Sequence, residues 1–227
     1  MYTVLVVDDD VAIREIFTAF LKRGGIEAIA VSGGRECLDL LRTRTPDLIL
    51  LDLMMTPMDG WETLRAIRRL NLTGKFPVMI VTGKQPVPDD ILQYGCLIED
   101  FIGKPIEFDK LVARMPHIIE RIRDLYTIAA QKTGAGEDPE LVDEYIRLLR
   151  LVRITYKMIR RYQDIPWADR ISLKKQEERL ALLHTLLGFP DYFLDWKGGK
   201  NESRVDDHGI HRNSYQDDGR NDYIRGT

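Results

Sequence analysis

Acidic, hydroxyl and ammonium side chains directly follow short apolar runs at several points of this 227-residue chain. They are Asp8 and Asp9, Asp52, Thr82 and Lys104. Clustered carboxylates without a nearby histidine or cysteine suit Mg²⁺, which prefers oxygen ligands. A cation, a lysine and a hydroxyl around one aspartate can neutralise the oxygens of a phosphoryl group. The combination therefore indicates an aspartate that becomes covalently phosphorylated.

The apolar runs before these residues predict the strands of a sheet. There are five such runs: 3–7, 27–31, 48–51, 78–81 and 101–103. Segments with helical periodicity separate them, which predicts right-handed crossovers and an α/β fold with a doubly wound five-stranded parallel sheet. Open α/β sheets place their sites at the carboxyl ends of the strands. We therefore expect the chemical side chains to converge in one crevice.

Each of these residues also has a simpler structural interpretation. The acids at 8–10 can cap the first helix, and Asp10 is expected to do so. Asp52 can be an ordinary turn aspartate, Lys104 a surface lysine and Thr82 a strand-end threonine. Only their convergence would favour the chemical interpretation.

Residues 1 to about 115 resemble the receiver domain of two-component response regulators. Five motifs carry the resemblance, in the order and at the separations of that family: Val6-Val7-Asp8-Asp9, the strand ending in Asp52, Met58-Asp59-Gly60, Val81-Thr82-Gly83 and Lys104-Pro105. Each motif alone is weak, whereas the ordered set is specific.

The resemblance implies a phosphoacceptor role for Asp52, with a sensor histidine kinase as phosphodonor. It implies that Asp8, Asp9 and Asp52 bind Mg²⁺ together with the backbone carbonyl of Met54. Lys104 is then expected to contact the phosphoryl group. Because the chain itself receives the phosphoryl group, we do not expect a turnover enzyme.

The resemblance also implies a conformational switch. Thr82 is expected to close onto the phosphoryl group, and Gly83 to leave room for its oxygens. Phe101 stands at the aromatic switch position, although plain core packing explains a buried ring equally well. The Lys104–Pro105 peptide bond is expected to be cis, as in the family.

The loop after Asp52 departs from the family pattern. Proline usually follows the phosphoacceptor by four residues, but here that residue is Thr56 and Pro57 comes next. Met54 cannot hold an attacking water by hydrogen bonds. We therefore expect a fairly long-lived acyl phosphate.

The segment between the fourth and fifth strands departs further. Pro86 and Pro88 disfavour helix there, so the fourth helix is predicted to span only about 89–94, where Gly95 stops it. Dimerisation through this face, usual in the family, is expected less here.

Three segments are predicted: a receiver domain at 1–115, a helical output or dimerisation domain of about three helices at 116–194, and a disordered tail at 195–227. Pro116 lies inside a helical pattern and is expected to kink or end that helix, which places the first boundary. The tail is rich in glycine, asparagine, aspartate and arginine, with few apolar residues.

The helix from about 139 to 163 has two notable patterns. A heptad seam suits a helical hairpin or a homodimer; its members are Val142, Tyr145, Leu149, Val152, Tyr156 and Ile159. Basic residues between Arg147 and Arg161 cover the opposite side, with no acid among them. Such a face can bind nucleic acid or an acidic partner, or can simply be solvated.

Composition restricts the remaining classes. A net charge of −3 excludes a polycation that binds nucleic acid along its whole length. Cys37 and Cys96 have no metal-ligand spacing and are expected to be free thiols. The first apolar run is too short for a signal peptide or a membrane span. We expect a soluble cytoplasmic protein without membrane contact.

Three functions remain open for the helical part, which lacks a helix-turn-helix, phosphate loop or zinc spacing. The favoured hypothesis is phosphorylation-gated signalling to an unknown downstream protein. The alternative is a transcription or RNA regulator that uses the basic face. The third is a phosphoryl sink in which only the receiver matters.

Overall fold

The computed structural model describes residues 1–70, 76–85, 87–161 and 170–197. Five strands form one parallel sheet in the order β2-β1-β3-β4-β5. Their bounds are β1 Thr3–Val7, β2 Glu27–Val31, β3 Leu48–Leu51, β4 Val78–Thr82 and β5 Asp100–Gly103. The predicted α/β fold and its five parallel strands are therefore confirmed, with β4 and β5 each one residue longer than predicted.

Seven helices lie among the described residues. They are α1 Val11–Arg23, α2 Gly34–Leu41, α3 Gly60–Leu70, α4 Pro88–Tyr94, α5 Phe108–Gly134, α6 Pro139–Arg161 and α7 Arg170–Leu187. Short 3₁₀ segments follow α4 at Gly95–Leu97 and α7 at Asp191–Lys197.

Alternate strand residues divide the core into two clusters, because successive side chains of a strand point to opposite faces. Leu5 and Ile80 pack with α2, α3 and α4. Val6 and Met79 pack with α1 and α5 on the other face. Both faces are covered, so the strands are almost continuously apolar, as parallel sheets require.

The fourth helix is as short as the two prolines predict. It spans Pro88–Tyr94, with Pro88 in its first turn, where a missing N–H costs little. Gly95 opens a 3₁₀ turn rather than a loop. A Cβ at Gly95 would lie 3.0 Å from Leu151 Cδ1 of α6, so the glycine permits close approach of α6.

Helix α5 does not end at Pro116. It runs unbroken from Phe108 to Gly134 with the proline inside it. An interior proline costs about 3 kcal/mol locally. Met115, Ile119 and Ile122 are all buried in the core that α5 covers, and this packing outweighs the local cost.

Helix α6 is buried on two sides. Its seam residues Val142, Tyr145, Leu149 and Val152 are buried, and α6 packs on α7. The seam is therefore used within the chain, as the hairpin interpretation predicts. The other side of α6 packs against α4, β5 and the Gly95–Leu97 turn.

The end of the helical part folds back onto α6. Phe189 stacks on Tyr145 with ring centroids 4.1 Å apart. Buried His184 contacts the Tyr145 hydroxyl at 2.9 Å and Asp191 at 3.0 Å. This closing piece ties α7 and the last 3₁₀ segment to α6.

Residues Met1–Leu194 form one compact unit. The helical part therefore has extensive contacts with the first 115 residues, and the division at 115/116 falls inside α5. The division into a receiver at 1–115 and an output region at 116–194 stays a prediction about function. Most of the predicted tail, residues 198–227, lies outside the described residues.

None of the helices among the described residues is both long and apolar enough to span a membrane.

Candidate functional site

Three carboxylates meet at the carboxyl edge of the sheet. One oxygen from each of Asp8, Asp9 and Asp52 lies within 4.8 Å of the other two. Asp8 and Asp52 follow β1 and β3, which are neighbours in the sheet, and the Asp52 amide donates to the Val7 carbonyl at 2.9 Å. The predicted convergence of these acids is therefore what the structure shows.

Lys104 joins the two buried carboxylates. Its Nζ lies 3.0 Å from Asp8 Oδ2 and 3.5 Å from Asp52 Oδ2. Burial raises the pKa of Asp8, and the hydrogen bond from Lys104 partly opposes that rise. The ammonium therefore compensates negative charge that would be costly to bury alone. A surface role for Lys104 does not fit this geometry.

Backbone amides orient the carboxylates. Asp8 Oδ1 accepts from the Asp10 amide at 2.9 Å, and Asp52 Oδ1 accepts from the Leu53 amide at 2.8 Å. Asp10 does not join the cluster, because its side chain caps α1 by accepting from the Ala12 amide. Asp10 therefore caps α1, whereas Asp8 and Asp9 belong to the carboxylate cluster.

Thr82 and Phe101 lie on the neighbouring strands β4 and β5. Both are buried, Phe101 to 1% exposure. Thr82 Oγ1 accepts from the Lys84 amide at 3.1 Å, and its carbonyl accepts from the Lys104 amide at 2.8 Å. Thr82 and Lys104 are therefore joined by a backbone hydrogen bond. The switch roles of Thr82 and Phe101 stay predictions.

The loop after β3 is held close to the strand it leaves. A Cβ at Gly60 would lie 2.7 Å from Leu53 Cα and closer still to the Asp52 carbonyl oxygen. Only glycine fits there without displacing the backbone of Asp52 and Leu53. We did not predict this steric role, because the contact joins residues eight positions apart.

Other predicted site features have mixed outcomes. The Lys104–Pro105 bond is cis as predicted, and Thr56–Pro57 is also cis. Met54 has a 63% exposed side chain in the loop, and the role of its carbonyl stays a prediction. A Cβ at Gly83 would meet no atom within 4 Å, so space is open there.

The donor set fits a hard divalent cation. It offers carboxylate oxygens only, two of them from buried residues, and Mg²⁺ is bound by one or two carboxylates together with waters. Asp8, Asp9 and Asp52 are the side chains that would hold it.

The basic face of α6 was expected to bind nucleic acid or an acidic partner, or to be solvated, and the structure shows that part of it is not solvated. Arg150 is 6% exposed and pairs with buried Glu99. Lys157 pairs with Asp100 at 2.6 Å. These acids immediately precede Phe101. The two adjacent acids at the start of β5 were the available signal, but their partners on α6 lie more than fifty residues away in the sequence.

Comparisons with known proteins indicate the same family as the residues of the site. The family model described as "Response regulator receiver domain" matches residues 4–116. The response regulator MprA of Mycolicibacterium vanbaalenii is 34% identical over 189 residues, which are 82% of this chain and 72% of that protein. MprA of Mycobacterium avium is 30% identical over 188 residues, covering 82% and 73% respectively.

A solved structure with high identity is the N-terminal domain of a response regulator receiver protein from Methanoculleus marisnigri. It is 44% identical, with 52% of this chain and 95% of that chain covered and a TM-score of 0.44. The carboxylate cluster, the family model and the two relatives agree, and the chain belongs to the response regulator family, with its receiver domain at residues 4–116.

Proposed function

We propose that Asp52 accepts a phosphoryl group from a phosphohistidine of a sensor histidine kinase. The observation that carries this is the contact of Lys104 with both Asp8 and Asp52 beside the third carboxylate, Asp9. The three acids would hold a divalent cation, and that cation together with the Lys104 ammonium would offset the negative charge of a phosphoryl group.

The transfer is a displacement at phosphorus. A carboxylate oxygen of Asp52 forms the new O–P bond while the P–N bond to the kinase imidazole breaks, and the imidazole leaves with the electron pair. Lys104 stabilises the phosphoryl oxygens by charge, and Thr82 donates its hydroxyl to one of them after transfer. The chain itself carries the product, so this is a signalling step rather than enzymatic turnover.

Mg²⁺ is the cofactor that the donor set fits. Asp8, Asp9 and Asp52 would hold it, with the Met54 carbonyl completing the protein ligands. When bound it neutralises charge on the phosphoryl oxygens.

The output is proposed to be protein–protein contact through the helical part. Nucleic-acid binding by the basic face is the weaker alternative, because several of its cations are already engaged. Arg150 and Lys157 contact receiver acids, and Arg147 pairs with Asp143 at 3.1 Å. A face used within the chain has less charge left for phosphates.

A labelled phosphodonor tests the assignment. In the presence of Mg²⁺, we expect the wild-type chain to take up label through a bond that is stable to acid and labile to alkali. Asp52→Asn should stay unlabelled. Asp10→Asn is the matched control, because asparagine also caps helices well, and it should label like wild type. Equal labelling of Asp52→Asn and wild type would contradict the proposed phosphoacceptor.

A further inference from the structure

Backbone amides hold the three carboxylates of the candidate site, but not all of these amides are local. Asp8 and Asp52 accept from amides two residues and one residue further along their own loops. Asp9 is different, because its Oδ2 accepts from the Thr56 amide at 3.1 Å, and 47 positions separate the two residues. The orientation of Asp9 therefore depends on the loop after β3 rather than on its own loop.

Asp9 is the acid of the cluster that most needs such a contact. It is exposed, whereas Asp8 and Asp52 are buried. Lys104 pairs with both buried acids, but no ion pair of Asp9 occurs within the described ranges. An exposed carboxylate without an ion pair samples several rotamers unless a hydrogen bond selects one. The amide of Thr56 supplies that hydrogen bond.

The donor itself is held in place by packing. Thr56 is exposed, but Leu53 and Met55 before it are only 5% and 4% exposed and belong to the core cluster below the loop. The Gly60 amide closes the loop by donating to the Leu53 carbonyl at 3.1 Å. Because its preceding residue is fixed in the core, the Thr56 amide is a donor at a defined position.

This contact requires that residue 56 is not proline. The usual pattern places proline four residues after the phosphoacceptor, and proline has no backbone N–H to donate. In this chain threonine occupies that place and Pro57 follows it. A chain with the usual proline could not hold its second acid in this way, so the contact is a property of this sequence.

The contact leaves Asp9 able to bind a cation. An ionised carboxylate offers about four lone-pair sites on two oxygens, and the Thr56 amide occupies one site on Oδ2. The hydrogen bond also restricts the side chain before any ligand arrives, which lowers the entropy cost of binding. Groups that orient the ligands of a metal in this way raise the affinity of its site.

We propose that the Thr56 amide is a positioning group for Asp9 and raises the affinity of the carboxylate cluster for Mg²⁺. This inference rests on the cofactor site proposed above. It adds to the three acids a backbone group from the loop after β3, which acts through Asp9.

Titration of the full chain with Mg²⁺ alone, followed by calorimetry, tests the positioning role. Thr56→Pro removes the N–H and should bind Mg²⁺ about tenfold more weakly than wild type, as when an outer-shell partner of a metal site is lost. Thr56→Ala removes the hydroxyl but restores the N–H, so it should restore the affinity. Equal affinities of Thr56→Pro and wild type, or equal losses in both variants, would overturn the proposal.

Hydrogen exchange of the Thr56 amide tests the contact without introducing proline. In the metal-free chain, Asp9→Ala should accelerate this exchange about tenfold, because a hydrogen bond to a charged group is lost. Asp10→Asn removes a neighbouring charge but leaves the Asp9 contact, and it should exchange like wild type. Exchange of Thr56 at the wild-type rate in Asp9→Ala would also overturn the proposal.

Beryllofluoride, which mimics the phosphoryl group when added with Mg²⁺, separates this inference from the proposed function. If wild type binds no Mg²⁺, the proposed cofactor site and the positioning role are both wrong. If the affinity difference is present but beryllofluoride does not bind, the positioning role is supported and the phosphoacceptor assignment is wrong. If wild type binds both ligands and Thr56→Pro binds Mg²⁺ equally well, only the positioning role is overturned.

Discussion

Lys104 is the residue on which the charge balance of the site depends. It lies 3.0 Å from Asp8 and 3.5 Å from Asp52, whose carboxylates are nearly inaccessible to solvent. Without the ammonium, the two adjacent buried carboxylates would repel each other with no cation to offset their charge. The residue types and their order in the sequence predict this chemistry. The distances between Lys104 and the two carboxylates are set only when the strands pair.

Met54 is the residue that we expect to set the lifetime of the acyl phosphate. Its side chain is exposed in the loop after β3 and cannot orient a water molecule. Met54→Asn should shorten the lifetime of labelled protein about tenfold, if its new hydrogen bond to the attacking water is worth about 1.4 kcal/mol in the transition state.

Met54→Leu is the control for this experiment, since leucine is equally unable to bind water and should leave the lifetime unchanged. The measurement is the loss of label after the phosphodonor is removed. Equal lifetimes for the asparagine variant and wild type would contradict the role of position 54.

At the scale of elements, the loop between β3 and α3 is positioned by close backbone approach. The Gly60 amide donates to the Leu53 carbonyl at 3.1 Å, and α3 begins at this glycine. The loop therefore returns along the end of its own strand, and α3 begins beside Asp52. A Met-Asp-Gly motif predicts a turn here, but not the contact that makes glycine necessary.

Gly60→Ala should destabilise the chain by about 1–3 kcal/mol, the usual cost of forcing extra atoms into a packed site. It should also weaken beryllofluoride binding, because the displaced backbone carries Asp52. Urea denaturation and a binding titration measure the two effects.

Gly134→Ala is the matched glycine substitution. A Cβ at the last residue of α5 would meet nothing within 4 Å, so stability should be unchanged or rise slightly. Similar losses in both variants would mean that close approach at Gly60 is not the cause.

At the scale of the whole molecule, the receiver and the helical part share a core. Ile154 and Met158 belong to the cluster that also contains Ile80 and Phe101. Such a shared core predicts that α6 and the sheet unfold together in one cooperative transition.

Ile154→Ala should lower the free energy of unfolding by about 2–5 kcal/mol, because a large buried side chain is lost. Native-state hydrogen exchange of the β1, β3 and β4 amides should accelerate accordingly, since these amides report opening of the whole sheet.

Leu182→Ala provides the comparison at an exposed position. Leu182 is 58% exposed on α7, and its loss should change stability by less than about 0.5 kcal/mol. If Ile154→Ala leaves exchange in the sheet unaltered, α6 is energetically separate from the receiver.

The accuracy of prediction differed between local and long-range features. The Asp10 cap, the short α4 and the strand bounds to within one residue were predictable, because each depends on residues close in sequence. At Pro116 the local pattern left a kinked and an ended helix equally open, and burial of Met115 and Ile119 favours the continuous helix. The pairing of α6 with Glu99 was not predictable, because some fifty residues separate the partners.

The amino-acid order by itself determined the α/β sheet, the acids at its carboxyl edge and the family to which they belong. These follow from apolar periodicity and from polar residues placed at strand ends, both of which are local patterns. Only the tertiary structure decided that the basic face of α6 meets the chain's own acids. Which charged surfaces meet depends on how whole elements pack, and no local pattern records that.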